Sequence, residues 1–302
     1  MALDERYCKY VSSRGIAKFC NVYPNQFKSD TYNFDENDYK NIKNKDIVYV
    51  ITTVLNKFTK KILPELEEKN IKIKLVVGAS ILGIPDEVSQ KHSINYLDRL
   101  FENDSIIHLY CQNYDLDYKH DRISLIPLGL DYHTLQETNS SWGNKISAIE
   151  QDHTIQRIAL LKPFNQRLNK SFSCFQFQKF KRHGADRYIA YEELKNKEFN
   201  EFLSQKTNRN KLWEIFTDYK FIISPHGNGL DCHRTYEAIC LGCIPVVKSS
   251  SLDILYKDMP IIIIPNWENL NIQDLIKKAE IIKKKKYNDT ISLLYWEKFI
   301  NS

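Results

Sequence analysis

Short apolar runs bounded by glycine, proline or polar residues recur along this chain, and between them apolar residues return at helical spacing. Residues 46–53 (DIVYVITT), 71–77 (IKIKLVV), 105–111 (SIIHLYC) and 123–127 (ISLIP) have the length of strands buried on both faces. A helix is expected over residues 55–69, and residues 16–23 offer a leading strand. A second series starts with a strand at 156–162, followed by a helix near 169–182, a strand at 187–190 and helices within 192–217. It continues with strands at 221–223, 244–247 and 259–264. Strand and helix alternate, so the pattern predicts an α/β fold with parallel sheets. The polar stretch 136–152, rich in Ser and Asn, is the expected linker. It divides the chain into two Rossmann-like units, 1–140 and 150–285, with a cleft between them. Residues 290–302 predict an amphipathic helix with Leu293, Leu294, Trp296 and Phe299 on its apolar side. No internal repeat is visible.

Residues 220–247 (KFIISPHGNGLDCHRTYEAICLGCIPVV) carry the densest chemistry. A buried strand ends near Pro225, and His226, Gly227, Asn228 and Gly229 form a turn of residues that tolerate positive φ. Asp231 is placed to cap the following helix and Gly242 to end it before the next strand. A helix N-terminus at the carboxyl edge of a parallel sheet attracts anions. Arg234 and Glu237, three residues apart, share a face near that helix start. A guanidinium for phosphate and a carboxylate for sugar hydroxyls suit a nucleoside-diphosphate sugar. Arg234 pairing structurally with Asp231 or Glu237 is the plainer alternative. His226 and His233 stand equally between site and scaffold.

The run SPHGNGLDCHRTYEAICLGCIPVV, continued by Lys248 through Tyr256 and by Pro260 to Trp267, resembles the C-terminal half of exostosin-like glycosyltransferases. The resemblance is specific between about Trp213 and Trp267. It implies a two-domain GT-B-type fold, a nucleotide-sugar donor (UDP-linked is favoured) and transfer to a glycan or glycoconjugate hydroxyl. In that pattern Glu237 binds the ribose hydroxyls, and an Arg or Lys after the first strand of the second domain reaches the diphosphate. Arg167 is the expected residue, with Lys170 in reserve. The segment 286–302 is expected to pack back on the first domain. Many retaining GT-B enzymes carry a Glu eight residues before the ribose-binding one; Gly229 stands there, which favours inversion. Ser249, in the loop Lys248-Ser249-Ser250-Ser251, is a further donor-site candidate, and Ser251 is the expected cap of a helix at 252–257.

An inverting transferase needs a general base on the acceptor side. Asp86, in the loop after the 71–77 strand, and Asp115, in the polar loop after 105–111, are the two candidates, with Glu87 and His92 next. A carboxylate at a helix start explains Asp86 without catalysis. Asp115 and Asp117 spell D-L-D, yet a phosphate site built from a helix N-terminus and Arg234 makes a metal unnecessary, so no metal or other cofactor is expected.

The 302 residues carry 27% charged and 42% hydrophobic residues and a formal net charge of +5, ordinary globular values that allow two cores. Much of the positive charge lies at Lys277, Lys278 and 283–286, read as a solvated helix face rather than a nucleic-acid or membrane patch. No signal-peptide core or membrane-length apolar window is present, and a cytoplasmic location is expected. The seven cysteines are scattered, unlike a disulfide framework, and Cys240 and Cys243 read as packed apolar residues rather than a zinc motif. The rival reading is a non-catalytic nucleotide-sugar or glycan-binding module.

Overall fold

The computed structural model describes residues 5–25, 32–102, 104–175, 183–285, 287 and 289–302, and contains two parallel sheets, as the alternating pattern predicts. The first runs β1 (Ile47–Ile51), β2 (Ile73–Gly78), β3 (Ile106–Cys111) and β4 (Ile123–Leu125), in sequential order. The second is ordered β6-β5-β7-β8-β9, with β5 at Leu168–Ser173, β6 at Asn200–Phe202, β7 at Tyr219–Ile223, β8 at Ile244–Lys248 and β9 at Ile262–Ile264. Every pairing is parallel. All five residues of β1 are buried, as expected of a strand covered on both faces.

Four expectations fail. Residues 16–19 are helix: α1 (Ser13–Phe19) starts where Ser12 accepts the Gly15 N–H, and a parallel bridge pairs Val22 with Val48. In place of the strand expected at 156–162, residues 156–159 end α7 (Ala148–Ala159), which is opened by a capping box between Ser147 and Glu150. The polar stretch 136–152 therefore ends in helix. The helix expected at 169–182 is β5 through Ser173, and residues 176–182 lie outside the described residues. The strand at 187–190 lies inside α8 (Gly184–Leu194).

The remaining helices cover the sheets. The predicted helix 55–69 is two helices, α2 (Leu55–Lys61) and α3 (Leu63–Glu68), with Pro64 admitted at the start of the second. Three short helices lie beyond them: α4 (Asp86–His92), α5 (Tyr96–Phe101) and α6 (His133–Glu137). In the second half come α9 (Arg209–Phe216), α10 (His233–Cys240), α11 (Asp253–Tyr256) and α12 (Ile272–Lys284). The last helix, α13 (Leu293–Asn301), buries Leu293, Trp296 and Ile300, while Leu294 faces outward. It lies against the first sheet: Lys74 Nζ donates to the Ile300 carbonyl at 2.9 Å, and Phe299 meets the Tyr110 ring edge-on. No helix among the described residues is long and apolar enough to cross a membrane.

The carboxyl edges of the two sheets meet. Asn113, just past β3, accepts the Asp231 N–H at 2.8 Å, and Leu128, past β4, donates its N–H to Asp231 Oδ2 at 2.9 Å. Ser251 donates its hydroxyl to the Tyr114 carbonyl at 2.6 Å, and His233 Nδ1 lies 2.7 Å from the Gly129 carbonyl. Loops from both sheets therefore surround the start of α10.

Candidate functional site

β7 delivers residues 224–231 to this meeting place. Ser224 holds the turn to α10 through Thr235, with their hydroxyls 2.9 Å apart. Neither Gly227 nor Gly229 takes the left-handed conformation expected of the turn. Both are needed for close approach instead. A Cβ on Gly227 would collide with the Arg187 guanidinium, and one on Gly229 would stand 3.0 Å from Asn113 Oδ1 and from the Ile81 carbonyl.

Asp231 does not cap α10; Cys232 holds the N-cap position and no side chain caps the helix. The buried carboxylate accepts instead from Tyr236 Oη at 2.5 Å, Tyr256 Oη at 2.7 Å, Cys232 N at 2.9 Å and Leu128 N. Burial raises its pKa, and these donors oppose the rise. Asp231 joins the two halves. At the other end the expected stop holds: Gly242 N donates to Ile239 O and Cys243 N to Ala238 O, a Schellman pair.

Two guanidiniums converge on the turn. Arg187, from α8, donates through Nε to the His226 carbonyl at 3.2 Å. Arg234, from the first turn of α10, lies over Phe175 at 6.0 Å, and its Nη1 is buried without a hydrogen-bond partner among the described residues. Burial lowers the Arg187 pKa, and the neighbouring Arg234 charge lowers it further. Burial works against the Arg234 charge too, but Cys174, Cys232 and Glu237 more than offset it. Two like charges held together out of water are costly unless an anion joins them.

His226 is the third member. Its backbone N–H donates to Asp186 Oδ2 at 2.8 Å, and Nδ1 lies 2.8 Å from the Leu230 carbonyl, which fixes the proton of the neutral ring on Nδ1. Nε2 is buried and unpartnered among the described residues. Asp186 also accepts from Trp267 Nε1 at 2.7 Å, and Lys248 Nζ lies 3.9 Å from it. Glu237 is buried one turn beyond Arg234. Arg187, Asp186 and Lys248 escaped the sequence reading, the first two because their helix was read as a strand and its approach.

The structure brings His226, Gly227, Asn228, Gly229, Asp231, Arg234 and Glu237 to one edge. Arg167 lies at the opposite one. It precedes β5, and its guanidinium holds the Leu241 carbonyl at 2.8 Å and Cys243 Sγ at 3.1 Å, beyond the C-terminus of α10. Once β5 is placed at Leu168–Ser173, the basic residues following that strand are Lys179, Lys181 and Arg182, outside the described residues. Ser249 reaches the carboxyl edge, where its hydroxyl donates to Asp253 Oδ2 at 2.5 Å. Ser251 does not cap α11, since its hydroxyl goes to Tyr114.

On the facing side, Asp86 and Asp115 are neighbours. Asp115 accepts the N–H groups of Asp86 and Glu87 at 2.9 and 2.8 Å, one on each carboxylate oxygen, at the start of α4. Burial, with the Asp86 charge added, pushes its pKa up to about 6. Asp86 is exposed. Among the described residues no group of three or more His, Cys, Asp or Glu side chains is arranged to hold a metal ion.

No protein-family model matches the chain, and no curated protein matches it. Solved structures do. The E. coli trehalose-6-phosphate structure bound with UDP-2-fluoro glucose is similar at 10% identity and TM-score 0.44, over 86% of this chain and 74% of that one. An alpha1,3-fucosyltransferase is similar at 14% identity and TM-score 0.36, over 87% of this chain and 91% of that one. The UDP-GlcNAc 2-epimerase from Methanocaldococcus jannaschii is similar at 12% identity and TM-score 0.35, over 81% and 72%. The chain is thus an α/β protein of two parallel sheets whose carboxyl edges meet around the start of α10.

Proposed function

We propose that this chain is a glycosyltransferase of the exostosin-like kind, moving a sugar from a nucleoside-diphosphate donor, UDP-linked by resemblance, to a glycan or glycoconjugate hydroxyl. The observation that carries the reading is the pair of largely buried guanidiniums, Arg187 and Arg234, at the His226–Gly229 turn, with Arg234 Nη1 and His226 Nε2 still unpartnered among the described residues. A diphosphate supplies the negative charge for the two guanidiniums and an acceptor oxygen for Arg234 Nη1. Glu237 is the ribose acceptor, one helical turn from Arg234, and the loop at Ser249 borders the transferred sugar.

Transfer without a metal follows from the same groups. The leaving diphosphate gains charge as its bond to the sugar breaks, and fixed guanidiniums and the α10 N-terminus stabilise that charge where it develops. An inverting course needs a base on the first-sheet side, facing α10. The donor half of the reading is tested by a thermal-shift screen of UDP, UMP, uridine and UDP-sugars. Binding to the folded state raises the melting temperature by mass action. UDP and at least one UDP-sugar are expected to stabilise strongly and uridine weakly. Equal effects of uridine and UDP would remove the diphosphate from the site.

A further inference from the structure

Two side-chain amides extend the first sheet past its carboxyl edge and reach the turn that precedes α10. Gln112 and Asn113 directly follow β3, and both are buried. Gln112 Oε1 accepts the Ala79 N–H at 2.8 Å, and Asn113 Nδ2 donates to the Ser80 carbonyl at 2.8 Å. The pair grips the backbone leaving β2 as a continued strand would. The other end of the Asn113 amide is used as well, since Oδ1 accepts the Asp231 N–H at 2.8 Å. A carbonyl on one side and an N–H on the other fix which end of the amide meets which partner. Asn113 therefore bonds to the loop 79–81 of the first half and to the turn of the second half at once.

This junction is built for close approach. Ala79 (φ 54°) and Asn113 (φ 51°) both stand in the left-handed region. Asn tolerates that conformation, whereas Ala is strained in it, and such strain persists where the surroundings over-determine the backbone. Gly229 completes the seat: a Cβ there would stand 3.0 Å from Asn113 Oδ1 and from the Ile81 carbonyl. A strained alanine, a buried amide with both ends engaged and a glycine without room for a side chain meet at one point.

The two sides depend on the junction unequally. On the donor side the Asp231 carboxylate is held by Tyr236 and Tyr256 and by Cys232 N, all within the second half. Arg187 and Arg234 come to the turn from α8 and α10, independently of Asn113. On the other side, the backbone of loop 79–81 is held by the two amides themselves. We propose that Asn113 is a positioning residue of sugar transfer: it registers loop 79–81 against the donor turn and so fixes where the acceptor hydroxyl stands relative to the anomeric carbon. This role rests on the glycosyltransferase reading above. Asn113 acts through the loop and the turn, and no proton or bond passes through it. A misplacement of about 1 Å between reacting groups lowers a rate by roughly 100-fold, so a single lost amide at this junction is felt in turnover.

The test compares wild type with Asn113→Gly, which accepts the left-handed backbone without strain and removes only the amide. UDP release from UDP-glucose, UDP-galactose, UDP-xylose and UDP-N-acetylglucosamine, with added glycans as acceptor, is measured alongside calorimetric UDP binding, well below the melting temperature of each protein. Asn113→Gly is expected to lose about 10- to 100-fold in turnover while UDP affinity changes less than about threefold. Asn113→Asp, which can still accept the Asp231 N–H but cannot donate to Ser80, should lose turnover as well. A purely structural role would lower the melting temperature and leave the turnover of folded protein unchanged. Folded Asn113→Gly turning over within about threefold of wild type overturns the proposal, as does a parallel loss of turnover and UDP affinity. Should Asn113→Gly fail to fold, Asn113→Asp decides by the same two limits. In either failure, turnover by wild type leaves the glycosyltransferase reading standing. Wild type that releases no UDP from any donor removes that reading, and this role with it.

Discussion

Replacing Arg234 by alanine separates a group built for an anion from one built for the fold. Arg234 carries a buried donor without a partner among the described residues and faces the like charge of Arg187. Removing it relieves both and loses the packing of its stem near Phe175. These changes oppose one another, so the melting temperature of the free variant should stay within about 2 °C of wild type, at roughly 1.5–2 °C per kcal/mol for a chain of this length. Binding should respond differently. A hydrogen bond to a charged group contributes about 1.5–3 kcal/mol, which corresponds to a roughly 10- to 150-fold weaker Kd for UDP. At a UDP concentration of about 100 times the wild-type Kd, the wild type gains about 2.7 kcal/mol of stability and the variant only about 0.3–1.4 kcal/mol. Differential scanning fluorimetry should therefore show an upward shift of roughly 4–5 °C in wild type and under about half of that in the variant. An undiminished UDP shift in folded Arg234→Ala would refute the anion site. A free variant melting far below wild type would make Arg234 a structural residue.

Gly227→Ala should act at a distance: its new Cβ meets the Arg187 guanidinium and displaces it, so UDP affinity falls about tenfold or more with the fold retained, as calorimetry and circular dichroism would record. Glu237→Gln should bind UDP more weakly and lose much of the preference of wild type for UDP over its 2′,3′-dideoxy analogue; equal affinity of wild type for the two would remove Glu237 from the ribose. Asp115 has a folded pKa of about 6 against about 3.9 in an unfolded chain, so it favours the folded state only while protonated. Wild type should accordingly lose stability relative to Asp115→Asn as pH rises from about 4 through about 6, measured by urea unfolding; a pH-independent difference would contradict the raised value.

The parallel-sheet architecture was legible because most strands are apolar on both faces, as in β1 and β7. β5 was not. Its sequence LNKSFS is polar, and it holds its place between β6 and β7 because Ser171 and Ser173 donate to Asn200 Oδ1 at 2.8 and 3.0 Å. A buried polar layer satisfied by a residue nearly thirty positions away leaves no periodic signal. Misplacing β5 carried Arg167 to the wrong edge of the sheet. Ser147 and Glu150 stand at capping-box spacing, a local mark of the start of α7. Residues His226 to Glu237 share one edge because turn and helix are contiguous in the chain. Arg187 reaches the turn through tertiary folding alone.

The central claim, transfer from a nucleoside-diphosphate sugar, is tested most directly by following UDP and sugar products when the purified chain meets each UDP-sugar in turn. Mass spectrometry identifies the glycan product and NMR its anomeric configuration. The account predicts UDP release from at least one donor, with product of inverted configuration, and loss of that release when Arg187 and Arg234 are both replaced by alanine. UDP-sugar binding with no release, whatever the acceptor, would make the protein a binding module, and release undiminished in the double variant would contradict the site itself.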